Sequence, residues 1–127
     1  MGVIVQKYGG TSVANIERIG NIARRITRAH DDGNKLVVVL SAMAGVTDNL
    51  ISMAGEITDE PDKQELDVLL ATGEQTTAAL LAIMLKNMNY PARSLLGYQA
   101  EVITNDSHGE ARIVTIGSQR IKEYQVH

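Results

Sequence analysis

The chain has 127 residues, a formal net charge of −3, 44% apolar residues and no Cys, Phe or Trp. Its length and apolar share suit one domain with an aliphatic core, while the acidic balance and the lack of a basic cluster argue against nucleic acid or an anionic membrane as main partner. The absence of cysteine excludes disulfides, thiolate metal sites and a cysteine nucleophile. No apolar run approaches the roughly 20 residues of a bilayer span and the start is unlike a signal peptide, so a cytoplasmic setting is expected.

Residues 3–7 (VIVQK) predict a short buried strand ending at the pair Gly9–Gly10. From Ala14 to about His30, Ile16, Ile19, Ile22, Ala23, Ile26 and Ala29 recur at three- and four-residue steps. That is the period of an amphipathic helix, with Arg18, Arg24, Arg25 and Arg28 largely off the apolar face. Gly33 suits the left-handed position after the last turn. KLVVVLSA (35–42) is an unbroken run of β-branched residues and Leu, the pattern of a strand covered on both faces. Residues 47–57 predict a helix. Pro61 suits the first turn of another through Leu69 and Leu70, which Gly73 interrupts before a strongly apolar central helix over 74–88. PARSLLGY (91–98) predicts a third strand, EVIT (101–104) and ARIVTI (111–116) further strands, and residues 118–125 a last helix.

Strands alternating with helices predict an α/β fold with a mostly parallel sheet and helices on both faces. In such sheets ligands sit beyond the carboxyl ends of the strands, so the loops 7–13 and 41–48 should open on one edge. In the first loop, Gly9 and Gly10 let backbone N–H groups approach phosphate oxygens, the following helix offers its positive end, and Lys7 supplies a point charge. The lysine precedes the glycines, so this is not a Walker A loop; a tight turn with an exposed lysine is the competing reading. In the second loop, Ser41 to Asp48, small residues and hydroxyls leave room for a polar ligand, although Thr47 and Asp48 would equally serve as helix N-cap and first-turn acid. In Thr72-Gly73-Glu74, a carboxylate at the start of an apolar helix would either complement its dipole or receive a substrate ammonium group. His108, before Gly109, reads as a turn residue. His30 and His127 stand alone, so no metal site built from histidines is expected.

The segments KYGGTSV (7–13), VVVLSAMAGVTDNL (37–50) and LLATGEQTTAALLA (69–82), in this order, resemble the amino-terminal half of an aspartate kinase of the amino-acid kinase superfamily. ITNDSHGEARI (103–113) resembles a later stretch of the same family. The resemblance implies a three-layer αβα sandwich around a mostly parallel sheet, with residues 1–127 as the N-terminal part of the catalytic domain and no regulatory ACT domain. It implies ATP-dependent phosphorylation of the L-aspartate β-carboxylate to 4-phospho-L-aspartate, the first step towards lysine, threonine and methionine, by a homo-oligomer. Mg²⁺ would be held mainly through the nucleotide phosphates. On the family's pattern Lys7 is catalytic, neutralising the transferring phosphoryl group, and Gly9, Gly10, Thr11 and Ser41 lie at the ATP phosphates. Thr47 and Glu74 belong to the aspartate pocket, Glu74 facing the substrate amino group.

One departure stands out: the family's S-Q-A-G appears as Tyr98-Gln99-Ala100-Glu101. The family's GRGGSD and T-D-V-D-G segments are not among these residues, so the chain is expected to be part of a kinase and inactive alone. The alternatives are an amino-acid kinase with another carboxylate or carbamate acceptor, and a non-catalytic assembly module.

Overall fold

The computed structural model describes residues 2–125; His127 lies outside the described residues. Strand β1 (Val3–Tyr8) leads through one 3₁₀ turn (Gly10–Val13) to helix α1 (Ile16–Asp31) and strand β2 (Lys35–Leu40). Helices α2 (Val46–Ile57) and α3 (Lys63–Asn87), strands β3 (Val102–Thr104) and β4 (Ile113–Ile116), and helix α4 (Gln119–Gln125) follow. β1 and β2 pair in parallel, from Val3 opposite Lys35 to Tyr8 opposite Leu40, which makes α1 the crossover of a βαβ unit.

Local chemistry sets both ends of α1. The Asn15 side chain accepts the Arg18 N–H at 2.9 Å. At the other end Gly33 takes φ +92°, the left-handed position expected of it, and Asn34 N–H reaches back to the Ala29 carbonyl at 3.3 Å. Between these ends Ile19, Ile22, Ala23 and Ile26 are buried with Val13, Leu81 and Leu85, against Tyr8, Leu36, Val38 and Leu40 of the sheet. Each such aliphatic side chain contributes about 1.5–3 kcal/mol by leaving water. The Tyr90 hydroxyl ties the segment after α3 to the end of α1, donating to both Asp31 carboxylate oxygens at 2.9 and 2.8 Å. That hydrogen bond holds the phenol proton and raises the Tyr90 pKa above its ordinary value.

Gly73 does not interrupt α3, which runs unbroken for 25 residues. A glycine inside a helix costs about 1 kcal/mol relative to alanine. Here it belongs to a row at four-residue steps, Gly73, Thr77, Leu81 and Leu85, that is buried where α3 meets α1, α2 and β2. The helix starts at an Asp62 N-cap, whose side chain accepts the Glu65 N–H at 2.9 Å, and Pro61 precedes the cap rather than entering the first turn. Because it is continuous, α3 has the length and composition of a membrane span, with a mean hydropathy of 1.5 in its most apolar window. This overturns the expectation that no such run exists. The four-residue row of α3 packs on α1, α2 and β2, while Val68 and Ile83 on other faces are 61% and 64% exposed.

Two further expectations are corrected. Neither β1 nor β2 is covered on both faces: Val3 and Val5 of β1 are 57% and 66% exposed and Val39 of β2 is 48% exposed, although α4 reaches β2. Residues 91–98 form no strand, since Pro91 lacks an N–H and the Leu96 N–H donates to the Gln99 side chain at 2.9 Å instead of to a neighbouring strand. β3 and β4 form their own antiparallel hairpin, a second sheet separate from the parallel pair. Asn105 shapes its loop, its side-chain oxygen accepting N–H groups from Ser107 and Arg112 at 3.1 and 3.2 Å.

The segment that leads into the hairpin is strained where it departs from the family pattern. Glu101 takes φ +60°, a left-handed conformation that costs a non-glycine residue about 1–2 kcal/mol. Its side chain lies over Gly117, where an added Cβ would meet Glu101 Cβ at 2.9 Å, and the Gly117 N–H donates to the Glu101 carbonyl at 2.9 Å. Glu101→Gly is expected to stabilise the chain by about 1 kcal/mol, and Gly117→Ala to destabilise it by about 1–3 kcal/mol through overpacking. The double variant should lose less than the two separate effects sum to, because Glu101→Gly clears the space that a methyl group at position 117 needs. Urea unfolding followed by circular dichroism tests this, and strict additivity would show that the two positions are uncoupled.

Candidate phosphate and substrate site

The parallel register sends the carboxyl ends of β1 and β2 to the same edge, so the loops after Tyr8 and Leu40 emerge side by side. Ser41 N–H donates to the Tyr8 carbonyl at 3.1 Å, extending the pairing one residue beyond the strands. Ser41 Oγ then lies 2.9 Å from where a Cβ on Gly9 would stand. Gly9 therefore permits the close approach of the two loops.

Around that contact the polypeptide presents donors. Gly10 is left-handed at φ +57° and opens the 3₁₀ turn, in which Ser12 N–H closes on the Gly9 carbonyl at 3.2 Å. The N–H groups of Gly9, Gly10 and Thr11 meet no protein acceptor among the described residues. Lys7, exposed on β1, makes no ion pair there either and shares the open face of the strand with Val3 and Val5. Three free amides beside a free ammonium group form a surface suited to phosphate oxygens.

A second glycine joins this edge to α3. An added Cβ at Gly73 would meet Ala42 Cβ at 3.0 Å and Val46 Cγ1 at 3.3 Å, so the loop after β2 and the start of α2 pack directly on that point of α3. Glu74 is the next residue. It is exposed and lies well inside α3 rather than at a helix start, which removes the dipole explanation for its carboxylate. Thr47 is half-buried in the first turn of α2 and is not its cap, since Gly45 holds the N-cap position without a side-chain hydrogen bond; Asp48 is the first-turn acid. The structure thus gathers Lys7, Gly9, Gly10, Thr11 and Ser41 at the β1–β2 edge, and places Thr47 and Glu74 on the two helices that flank the Gly73 contact.

His108 stands apart from this edge, in the hairpin loop, with Nδ1 3.3 Å from Asp67. The same carboxylate accepts the Gly109 N–H at 3.0 and 3.1 Å. Asp67 was not singled out from the sequence, because an anchor linking positions 42 residues apart leaves no local pattern. No grouping of three or more His, Asp or Glu with metal-binding geometry occurs among the described residues.

Residues 2–124 match the amino acid kinase family. The chain belongs to that family. It is 50% identical over 122 residues to the aspartokinase of Geobacillus stearothermophilus and 49% identical over 122 residues to the aspartate kinase of Pseudomonas putida, each alignment covering 96% of this chain. It spans 30% of the length of either relative. Among solved structures, the aspartate kinase from Synechocystis superposes with a TM-score of 0.70 at 49% identity, over 73% of this chain and 16% of that one. Escherichia coli aspartokinase III, solved with aspartate and ADP, superposes with a TM-score of 0.75 at 21% identity, over 87% of this chain and 34% of that one, and shows the shared fold. The aspartokinase resemblance and the α/β fold with its parallel sheet are borne out by these matches.

Within this amino acid kinase segment the two contact glycines differ from glycines that touch nothing. Gly55 on α2 has no neighbour within 4 Å of an added Cβ, so Gly55→Ala should gain about 1 kcal/mol from helix propensity alone. Gly73→Ala makes the same gain but forces about 1–3 kcal/mol of overpacking against Ala42 and Val46, for a net loss. Thermal unfolding of the two variants should therefore shift in opposite directions. A stabilising Gly73→Ala would mean that α3 does not press on this loop.

Proposed function

We propose that this chain supplies the phosphate loop and one wall of the aspartate pocket of an ATP-dependent aspartate kinase, which makes 4-phospho-L-aspartate on the route to lysine, threonine and methionine. The observation that carries the reading is the pair of glycine contacts. Gly9 against Ser41 and Gly73 against Ala42 bring a cationic, amide-rich edge alongside the helices that bear Thr47 and Glu74. The aspartate and ADP bound by the E. coli relative are the acceptor and the spent donor of such a reaction.

In this reading the free amides of Gly9, Gly10 and Thr11, with the Ser41 hydroxyl, hold phosphate oxygens, and Lys7 neutralises charge on the transferring group. Glu74 attracts the substrate ammonium group and Thr47 offers a hydroxyl to the same molecule. The acceptor β-carboxylate is already ionised, so its oxygen forms the new bond to the γ-phosphorus as the bond to the ADP oxygen breaks, and no proton is transferred. The protein therefore contributes position and charge stabilisation rather than a strong base. Magnesium held through the nucleotide phosphates would supply further charge neutralisation.

A chimera tests the proposal: residues 2–124 replace the matching segment of the Geobacillus stearothermophilus aspartokinase, and ADP release is followed with aspartate and ATP. The chimera should turn over, and the 127-residue chain alone should not. Lys7→Ala in the chimera should lower kcat by about 10²-fold or more, the effect of losing ~3 kcal/mol of transition-state stabilisation. Glu74→Gln should raise the KM for aspartate far more than that for ATP. Undiminished turnover of the Lys7→Ala chimera would remove the phosphoryl role. A loss confined to ATP would place Glu74 at the nucleotide instead.

A further inference from the structure

A groove of about 520 Å³ lies away from the phosphate edge, between the end of α2 and the start of α3. Met53 and Ile57 from α2 and Leu66 and Leu69 from α3 make its apolar floor and walls, with Ile57 86% and Met53 51% exposed. Glu56, Asp62 and Glu65 line its rim, and Asp59 and Glu60 stand in the connecting turn. No Lys or Arg pairs with any of these carboxylates among the described residues. Lys63, the lone cation in this stretch, lays its methylenes against Gly109 of the hairpin loop. The negative pole of α2 ends at the same place, where the positive pole of α3 is already met by the Asp62 cap and Glu65.

We infer that this groove docks an amphipathic helix of a partner protein, one with an apolar stripe flanked by Lys and Arg. Apolar insertion between two helices is the usual way a groove takes a helix, and Glu56, Asp59 and Glu60, which face neither a Lys or Arg nor the positive end of α3, favour a basic one. Like charges crowded along the turn repel one another, and cations on the incoming helix relieve that repulsion. A second copy of this chain fits the chemistry less well. Its basic helix, α1, exposes Arg18, Arg24, Arg25 and Arg28 but buries Ile19, Ile22 and Ile26 in its own core, so it has little apolar surface left to insert.

The test uses the full chain and two synthetic helices with the same leucine stripe, one flanked by lysine and arginine and the other by glutamate, followed by fluorescence anisotropy. The basic helix should bind, and added salt should weaken it. The glutamate twin should bind at least about tenfold more weakly. Ile57→Glu changes an exposed side chain, so the fold should survive, as circular dichroism would verify. It also makes the rim more negative, so simple charge attraction would tighten binding. Insertion of the stripe instead predicts binding weakened about tenfold, since Ile57 is then a central apolar contact. Equal binding of the two helices, or unchanged or tighter binding to the Ile57→Glu variant, would overturn the inference. So would sedimentation showing that the chain self-associates and that Ile57→Glu abolishes it, since the occupant would then be a second copy.

Discussion

The parallel pairing of β1 with β2 is the constraint on which the rest depends. Parallel strands cannot be joined by a tight turn, so the chain must travel back along the sheet before β2 begins. It does so as α1, whose Ile19, Ile22, Ala23 and Ile26 make four of the seven buried core residues. The same pairing points Tyr8 and Leu40 in one direction, so the segments that follow them become neighbours before any side chain is considered. The contact of Gly9 with Ser41 tightens that proximity, and the contact of Gly73 with Ala42 extends it to α3.

What the sequence disclosed was local, and what it withheld was contact. The α1 period and its Gly33 end depend on residues a few positions apart, and both were legible; the Asn15 cap is equally local but was not singled out. An unbroken aliphatic run in β2 showed only that the strand tolerates cover on both faces, not that such cover is present. Gly73 read as a helix break because propensity is a property of one residue, whereas α3 is held together by packing along its whole buried row. Residues 91–98 have the composition of a strand, but strand formation needs a partner edge, and a glutamine side chain took one of the amides first. In the site, residue types were compatible with Thr47 capping a helix and with Glu74 beginning one. Both alternatives failed only once the real helix starts were known.

The open face of the sheet bears on the site itself. Lys7 alternates with Val3 and Val5 along β1 and sits opposite Val39 on β2, so the ammonium group stands at the end of an aliphatic strip. Solvent now surrounds that strip and screens the charge. Any apolar cover laid on Val3, Val5 and Val39 would remove water from one side of Lys7 and strengthen its attraction for an anion. The cation would thus respond to packing as well as to ligand.

Continuity of α3 has a mechanical consequence. Asp67 grips the hairpin tip through the Gly109 amide, and Glu74 lies two turns further along the same unbroken helix. A helix interrupted at Gly73 would let these two positions move separately. A single stiff rod does not: a tilt that shifts the Glu74 carboxylate would also shift Asp67, the anchor of the hairpin tip. The carboxylate end and the hairpin end of this chain therefore behave as two arms of one lever.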